Sequence, residues 1–187
     1  MIAIVGKICS GKTYFLNTAR ELGYKTLNLD EFVNDLYEKN TDFINKINNK
    51  IGSFLIKNNQ VWKPFIKQWV SLNPNNLKIL EKYVFEVIFE HLKSNQYDFV
   101  EIPILYTKIV DFSIFFSTVY HMQIDEENRS KFLKIRGVDN FTKEILDNQN
   151  NYNWDTKDFF RSKKVVHIPI NIRDSKEKIK EFLELKK

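Results

Sequence analysis

The apolar positions open with a continuous run, Met1-Ile2-Ala3-Ile4-Val5, which is short and suited to a buried strand. Residues Tyr14 to Leu22 can form a helix, and Gly23 stops it. A second short strand is predicted at Lys25–Leu29, ending at Asp30. Strand, helix and strand at this spacing predict a parallel pair joined by a right-handed crossover. Residues 31–96 are then mostly helical by pattern. Phe32, Val33, Leu36 and Tyr37 recur at helical spacing, as do Phe43, Ile44, Ile47, Ile51, Phe54 and Leu55. Pro64 can open another helix with Phe65, Ile66, Trp69 and Val70 inward, and Asn73-Pro74-Asn75-Asn76 is a turn. Leu77, Leu80, Tyr83, Val84, Val87, Ile88 and Leu92 form a long stripe after it. This is more helix than a crossover needs, so part of it reads as a helical substrate subdomain inserted into a sheet fold.

The remaining strands are predicted at Tyr97–Pro103, within Phe115–Ile124 and at Val165–Pro169. Glu126–Arg136 and Asp139–Asn150 read as a charged helical hairpin, and Trp154–Lys164 is basic without a clear pattern. Asp174–Leu185 is an amphipathic closing helix, with Ile179, Phe182 and Leu183 inward.

Composition narrows the class. Hydrophobic residues make up 43% of the 187 residues and include 16 Phe, which excludes a disordered chain. No apolar run approaches the roughly 18 residues that span a bilayer, and no signal pattern precedes the first strand, so a cytoplasmic protein is expected. The single cysteine forms no internal disulfide. The net charge of +5 is spread along the chain without a basic arm, which suits a protein that binds polyanionic nucleotides as well as one that binds nucleic acid.

The first strand runs into Gly6-Lys7-Ile8-Cys9-Ser10-Gly11-Lys12-Thr13, a complete G-x-x-x-x-G-K-[ST] phosphate loop. Gly6 and Gly11 let the backbone turn tightly and offer its N–H groups to phosphate oxygens. The helix N-terminus adds partial positive charge. Lys12 is expected to reach the β- and γ-phosphates of ATP, and the Thr13 hydroxyl to ligate Mg2+. Cys9 is expected to turn away from the ligand.

Asp30 follows Lys12 by 18 positions, at the predicted carboxyl end of a strand, where ligands of parallel sheets bind. It reads as the base that accepts a proton from an attacking hydroxyl, as a ligand of Mg2+ through water, or as a helix N-cap. Glu101 reads as an aid to Mg2+ or substrate, or as a solvated strand-end acid. Arg136 is the first candidate to reach phosphate from the charged hairpin; Arg129, Lys131, Lys134 and Lys143 read first as a solvated face and second as further cations for the phosphate. His91, His121 and His167 read as isolated structural or surface residues without metal spacing.

The order of these features resembles the dephospho-CoA kinase family. After Gly6–Thr13, the segment Leu27-Asn28-Leu29-Asp30 resembles the family's Asp-x-Asp, with Asn28 in place of the first Asp. Asn73-Pro74 with Leu77–Glu81, and Ile102-Pro103-Ile104-Leu105-Tyr106, are similar to two further family segments, and Arg136 and Gln149 match a lid arginine and a glutamine. Thr107 stands where the family has Glu, Phe85-Glu86 where it has His-Pro, and Phe132 where it has another lid arginine. The resemblance implies a P-loop NTPase, three-layer α/β/α, with a five-stranded parallel sheet. Its core would span about 1–30, 97–125 and 162–187, with an acceptor subdomain over 31–96 and a helical lid over 126–161. It implies transfer of the ATP γ-phosphoryl to the 3′-hydroxyl of dephospho-CoA, with Asp30, Lys12 and Arg136 catalytic, by a monomer or weak oligomer without nucleic acid or membrane. A kinase for another nucleoside or nucleotide, or a non-catalytic ATP-binding protein, stays open beside it.

Overall fold

The computed structural model describes residues 1–137 and 158–185. In chain order the elements are β1 (Ile2–Val5), α1 (Lys12–Glu21), β2 (Thr26–Asn28), α2 (Leu29–Lys39), α3 (Thr41–Lys50), β3 (Ile56–Lys57), β4 (Gln60–Val61), α4 (Lys63–Leu72), α5 (Asn75–Ser94), β5 (Phe99–Glu101), β6 (Thr118–Met122), α6 (Glu126–Ile135), β7 (Phe159–Phe160), β8 (Lys163–Ile168) and α7 (Lys176–Glu184). They form two compact units, Met1–Asn28 with Gln96–Lys187, and Leu29–Asn95. Among the described residues no helix is long and apolar enough to cross a membrane.

The first unit is built on a sheet of order β2-β5-β1-β6-β8-β7. Its first five strands are parallel, and β7 is an antiparallel edge strand on β8. The expected five parallel strands are present. The extra edge arises within the basic stretch that showed no pattern, because Arg161 and Ser162 adopt left-handed φ of 44° and 66° and close a tight hairpin. β1, Ile-Ala-Ile-Val, is continuously apolar, as a parallel strand covered by helices tends to be. Helices α1 and α7 bury Phe15, Leu16, Ala19, Ile179 and Leu183 against Ile4, Phe99 and Tyr120 of the sheet. Phe15 meets Phe99, Tyr120 and Phe182 edge-on, with ring centroids 5.9, 6.3 and 6.3 Å away. Phe15→Ala should therefore cost about 3–5 kcal/mol of stability, read by urea unfolding; a loss under 1 kcal/mol would show that this core closes around the gap.

The second unit is helical, as the pattern requires, with one exception. Asn40 caps α3 by accepting from the Phe43 N–H at 2.8 Å. Beyond it, β3 and β4 pair as a hairpin whose two turn residues, Asn58 and Asn59, take φ of 51° and 58°. The helical reading of 31–96 overlooks this hairpin, since strands of two residues are too short to show alternation. The Asn-Asn pair was the signal, because Asn tolerates the left-handed turn. Pro64 sits in the first turn of α4, and the Phe65–Val70 side of that helix is only half-buried. In α5, Phe85 joins Leu80, Val84, Ile88 and Leu92 in the interior. Burial also pushes the Tyr37 phenol up to about 12, with a smaller contribution from the Glu81 charge.

Candidate functional site

β1 ends at Val5 and the chain turns at once. Gly6 has φ of 144°, and a Cβ there would sit 2.7 Å from the Met122 carbonyl oxygen and 2.8 Å from the Ser10 hydroxyl. Only glycine lets the loop press this closely onto the end of β6. Cys9 takes a left-handed φ of 67°, and the Ser10 N–H donates to the Lys7 carbonyl at 3.1 Å. Gly11 then starts α1 with φ of 83° and has no side chain to cap it. The first-turn N–H groups stay available to an outside acceptor, which makes a concave anion site. Lys12 folds over the loop, its Nζ donating to the carbonyls of Gly6 at 2.9 Å and Lys7 at 3.1 Å. The Ser10 hydroxyl is fully buried with no partner among the described residues.

Three strand ends converge beside this loop. Glu101, the last residue of β5, is 4% exposed. It accepts from the Thr13 hydroxyl at 3.1 and 3.3 Å and from the Asn28 amide at 3.1 Å. The solvated strand-end reading of Glu101 is thus overturned, and its carboxylate lies against the loop threonine. Asn28 fits this arrangement for an electrostatic reason. A carboxylate at position 28 would face Glu101 at hydrogen-bond distance and repel it, whereas the amide donates. Thr13 and Glu101 together present oxygen donors of the kind a hard cation takes.

A cavity of about 620 Å3 adjoins the loop, with Cys9, Gly11, Tyr14, Phe132, Arg136 and Arg173 among its lining residues. Cys9 therefore lies on the cavity wall rather than turned from it. Arg136 caps α6 and is exposed. Arg129 departs from expectation: it is 1% exposed and pairs with Glu126 at 3.2 Å instead of lying on a solvated face. Helical period explains this, since Arg129 and Leu133 are one turn apart on the buried side of α6. Lys131 is exposed and pairs with Glu127 at 2.7 Å, and Lys134 is exposed. Lys7 reaches Glu126 at 3.2 Å. Lys143, Gln149 and the predicted Asp139–Asn150 helix lie outside the described residues.

Asp30 is exposed in the first turn of α2, in the second unit. The strand stops at Asn28, one residue short of the predicted Leu29, and the helix begins at Leu29, so Asp30 is neither the strand end nor the cap. His121 and His167 are not isolated: they are register partners on β6 and β8, with their Nδ1 atoms 3.2 Å apart. His91 lies against the Phe32 ring, with centroids 4.3 Å apart. Thr107, where a Glu was expected by resemblance, accepts from the N–H groups of Ile109 and Val110, both at 3.1 Å, and so shapes a turn. The sequence pattern did not single out Arg173. Its one signal was position, just past the carboxyl end of a parallel strand.

Comparison with known proteins agrees with this geometry. A family model for dephospho-CoA kinase matches residues 1–150. The chain is 27% identical over 137 residues to a dephospho-CoA kinase of Protochlamydia amoebophila, covering 67% of this chain and 66% of that protein. It is 23% identical over 145 residues to a dephospho-CoA kinase of Streptococcus pyogenes, covering 73% of each. In structure it is similar to TT1252 from Thermus thermophilus, with a TM-score of 0.67 and 20% identity over 98% of this chain and 94% of that one. It is also similar to dephospho-CoA kinase from Campylobacter jejuni, with a TM-score of 0.59 and 17% identity over the same shares.

Proposed function

The chain belongs to the dephospho-CoA kinase family, whose reaction is the ATP-dependent phosphorylation of dephospho-CoA to coenzyme A, and from that premise we propose how its own residues carry the transfer. One observation carries the reading: the phosphate loop whose Thr13 is hydrogen-bonded to the buried Glu101. The loop from Gly6 to Thr13, with Lys7, Ile8, Cys9, Ser10 and Gly11 between, wraps the triphosphate with backbone N–H groups. Lys12 exchanges its two carbonyl acceptors for the β- and γ-phosphates. The half-apolar cavity beside Tyr14, Phe132 and Ile135 takes the adenosine. Arg136 brings positive charge to the migrating phosphoryl group. Asp30 accepts the proton of the attacking 3′-hydroxyl, so the oxygen attacks as its negative charge develops.

Thr13 and Glu101 fit Mg2+, since this ion takes few protein oxygens, keeps several waters and binds mainly through substrate phosphates. When bound it would neutralise charge between the phosphates. Glu101→Gln should then raise the Mg2+ concentration needed for half-maximal turnover by roughly 10- to 100-fold. An unchanged Mg2+ requirement would remove Glu101 from this role. The same reading has the chain act on its small molecule in the cytoplasm, as a monomer or weak oligomer, without nucleic acid or membrane.

The direct test is ADP release from Mg-ATP with dephospho-CoA, beside adenosine, AMP and no acceptor. The expected result is turnover with dephospho-CoA alone and coenzyme A as product. Turnover only with another acceptor would keep the phosphate site and discard the substrate. ATP binding without any turnover would make the chain a non-catalytic nucleotide binder.

A further inference from the structure

Arg173 closes a short 3-10 turn, Ile170–Arg173, directly after β8. Its side chain runs back onto the phosphate loop. A Cβ added to Gly11 would lie 2.9 Å from its Nη1 and 3.0 Å from its Cδ. Arg173 as a whole is 9% exposed, and its Nη2 donates to the Gln123 carbonyl oxygen. Its Nε is buried with no hydrogen-bond partner among the described residues. The neighbouring Asp174 carboxylate is engaged elsewhere, with Lys178 at 3.0 Å. Burial holds the guanidinium down to about 10, well below its ordinary value, with only partial relief from the Asp174 charge.

A buried cation is costly unless it meets an anion or several acceptors. One carbonyl does not meet that need. Arg173 nevertheless lines the same cavity as Cys9, Gly11, Tyr14 and Arg136, at the uncapped start of α1. Both features, the orphaned N–H groups and the undercompensated guanidinium, ask for negative charge at one place. Arginine suits it, because its planar fork matches phosphate oxygens.

We propose that Arg173 is a nucleotide-positioning residue, whose buried guanidinium supplies fixed positive charge to the phosphate chain on the Gly11 side of the loop. The role rests on the reading of Gly6–Thr13 as the triphosphate site. It differs from the role of Arg136, which is exposed, because Arg173 is already ordered by the loop it serves.

The test is direct binding to the full chain without acceptor, for ADP by calorimetry and for adenosine by competition against a fluorescent ATP analogue. Arg173→Met removes the charge and keeps most of the length. It should weaken ADP roughly 10- to 100-fold, the usual worth of a charged hydrogen bond, while adenosine affinity changes much less. Without nucleotide its melting temperature should equal or exceed that of the wild type, because a strained buried charge is gone. Arg173→Lys should recover part of the ADP affinity, and it is read by itself if the Met variant does not fold. Unchanged ADP affinity would overturn the proposal. So would equal losses for ADP and adenosine with a lower melting temperature, which describe loop packing alone. A wild type that binds no ADP would overturn the triphosphate reading together with it, whereas a wild type that binds ADP keeps the two failures apart.

Discussion

Lys12→Ala is expected to lower ADP formation by roughly 10²- to 10³-fold, the usual effect of removing one fixed donor aimed at developing charge. In the structure Lys12 Nζ rests on two loop carbonyls, 2.9 and 3.1 Å away. These carbonyls hold the ammonium against the loop, beside the proposed place of the phosphates. The substitution removes the charge and also loosens the loop, so two measurements are needed. Pre-steady-state phosphoryl transfer reports the lost charge, and melting temperature reports the loosened loop. A slow transfer in a protein that melts normally assigns the effect to charge. Near-normal transfer would refute the role given to Lys12.

Asp30→Asn should reduce turnover by roughly 10²- to 10⁴-fold, the range for a positioned general base. The KM for ATP should stay close to that of the wild type, because the carboxylate acts on the acceptor. Asp30 also lies in the first turn of α2, where a negative charge favours the helix by about 0.3–1 kcal/mol. A small fall in stability is therefore expected whatever its catalytic role, and it cannot account for a large loss of rate. An unchanged rate would leave Asp30 as a helix-terminus charge and require another base.

The phosphate loop was fully legible because its chemistry is local. Four fixed positions within eight residues dictate the turn at Gly6, the start of α1 at Gly11 and the placing of Lys12 and Thr13. The helices of the second unit were legible from spacing, since a period of 3.6 survives over ten or more residues. The β3–β4 hairpin was not, because two-residue strands carry no period. For the same reason the edge strand β7 stayed hidden in a basic stretch.

The site beyond the loop depended on partners far apart in the chain. Sequence showed Glu101 as an acid near a strand end, but only the parallel register of β2, β5 and β1 brings it to Thr13 and Asn28. That register also explains Asn28 as a donor to Glu101 rather than a lost carboxylate. His121 and His167 are 46 positions apart and meet because β6 and β8 pair residue for residue. Arg129 read as part of a solvated face and Arg173 carried no pattern of its own, and the burial of both came from packing that no local pattern encodes. By itself, then, the sequence determined the turn of the Gly6–Thr13 motif into α1, the α/β class and the helical second unit, since each rests on short-range spacing or on which backbone angles glycine permits. The tertiary structure decided which charges are buried and which acid faces the loop, because desolvation and pairing depend on neighbours supplied by strand order and helix orientation.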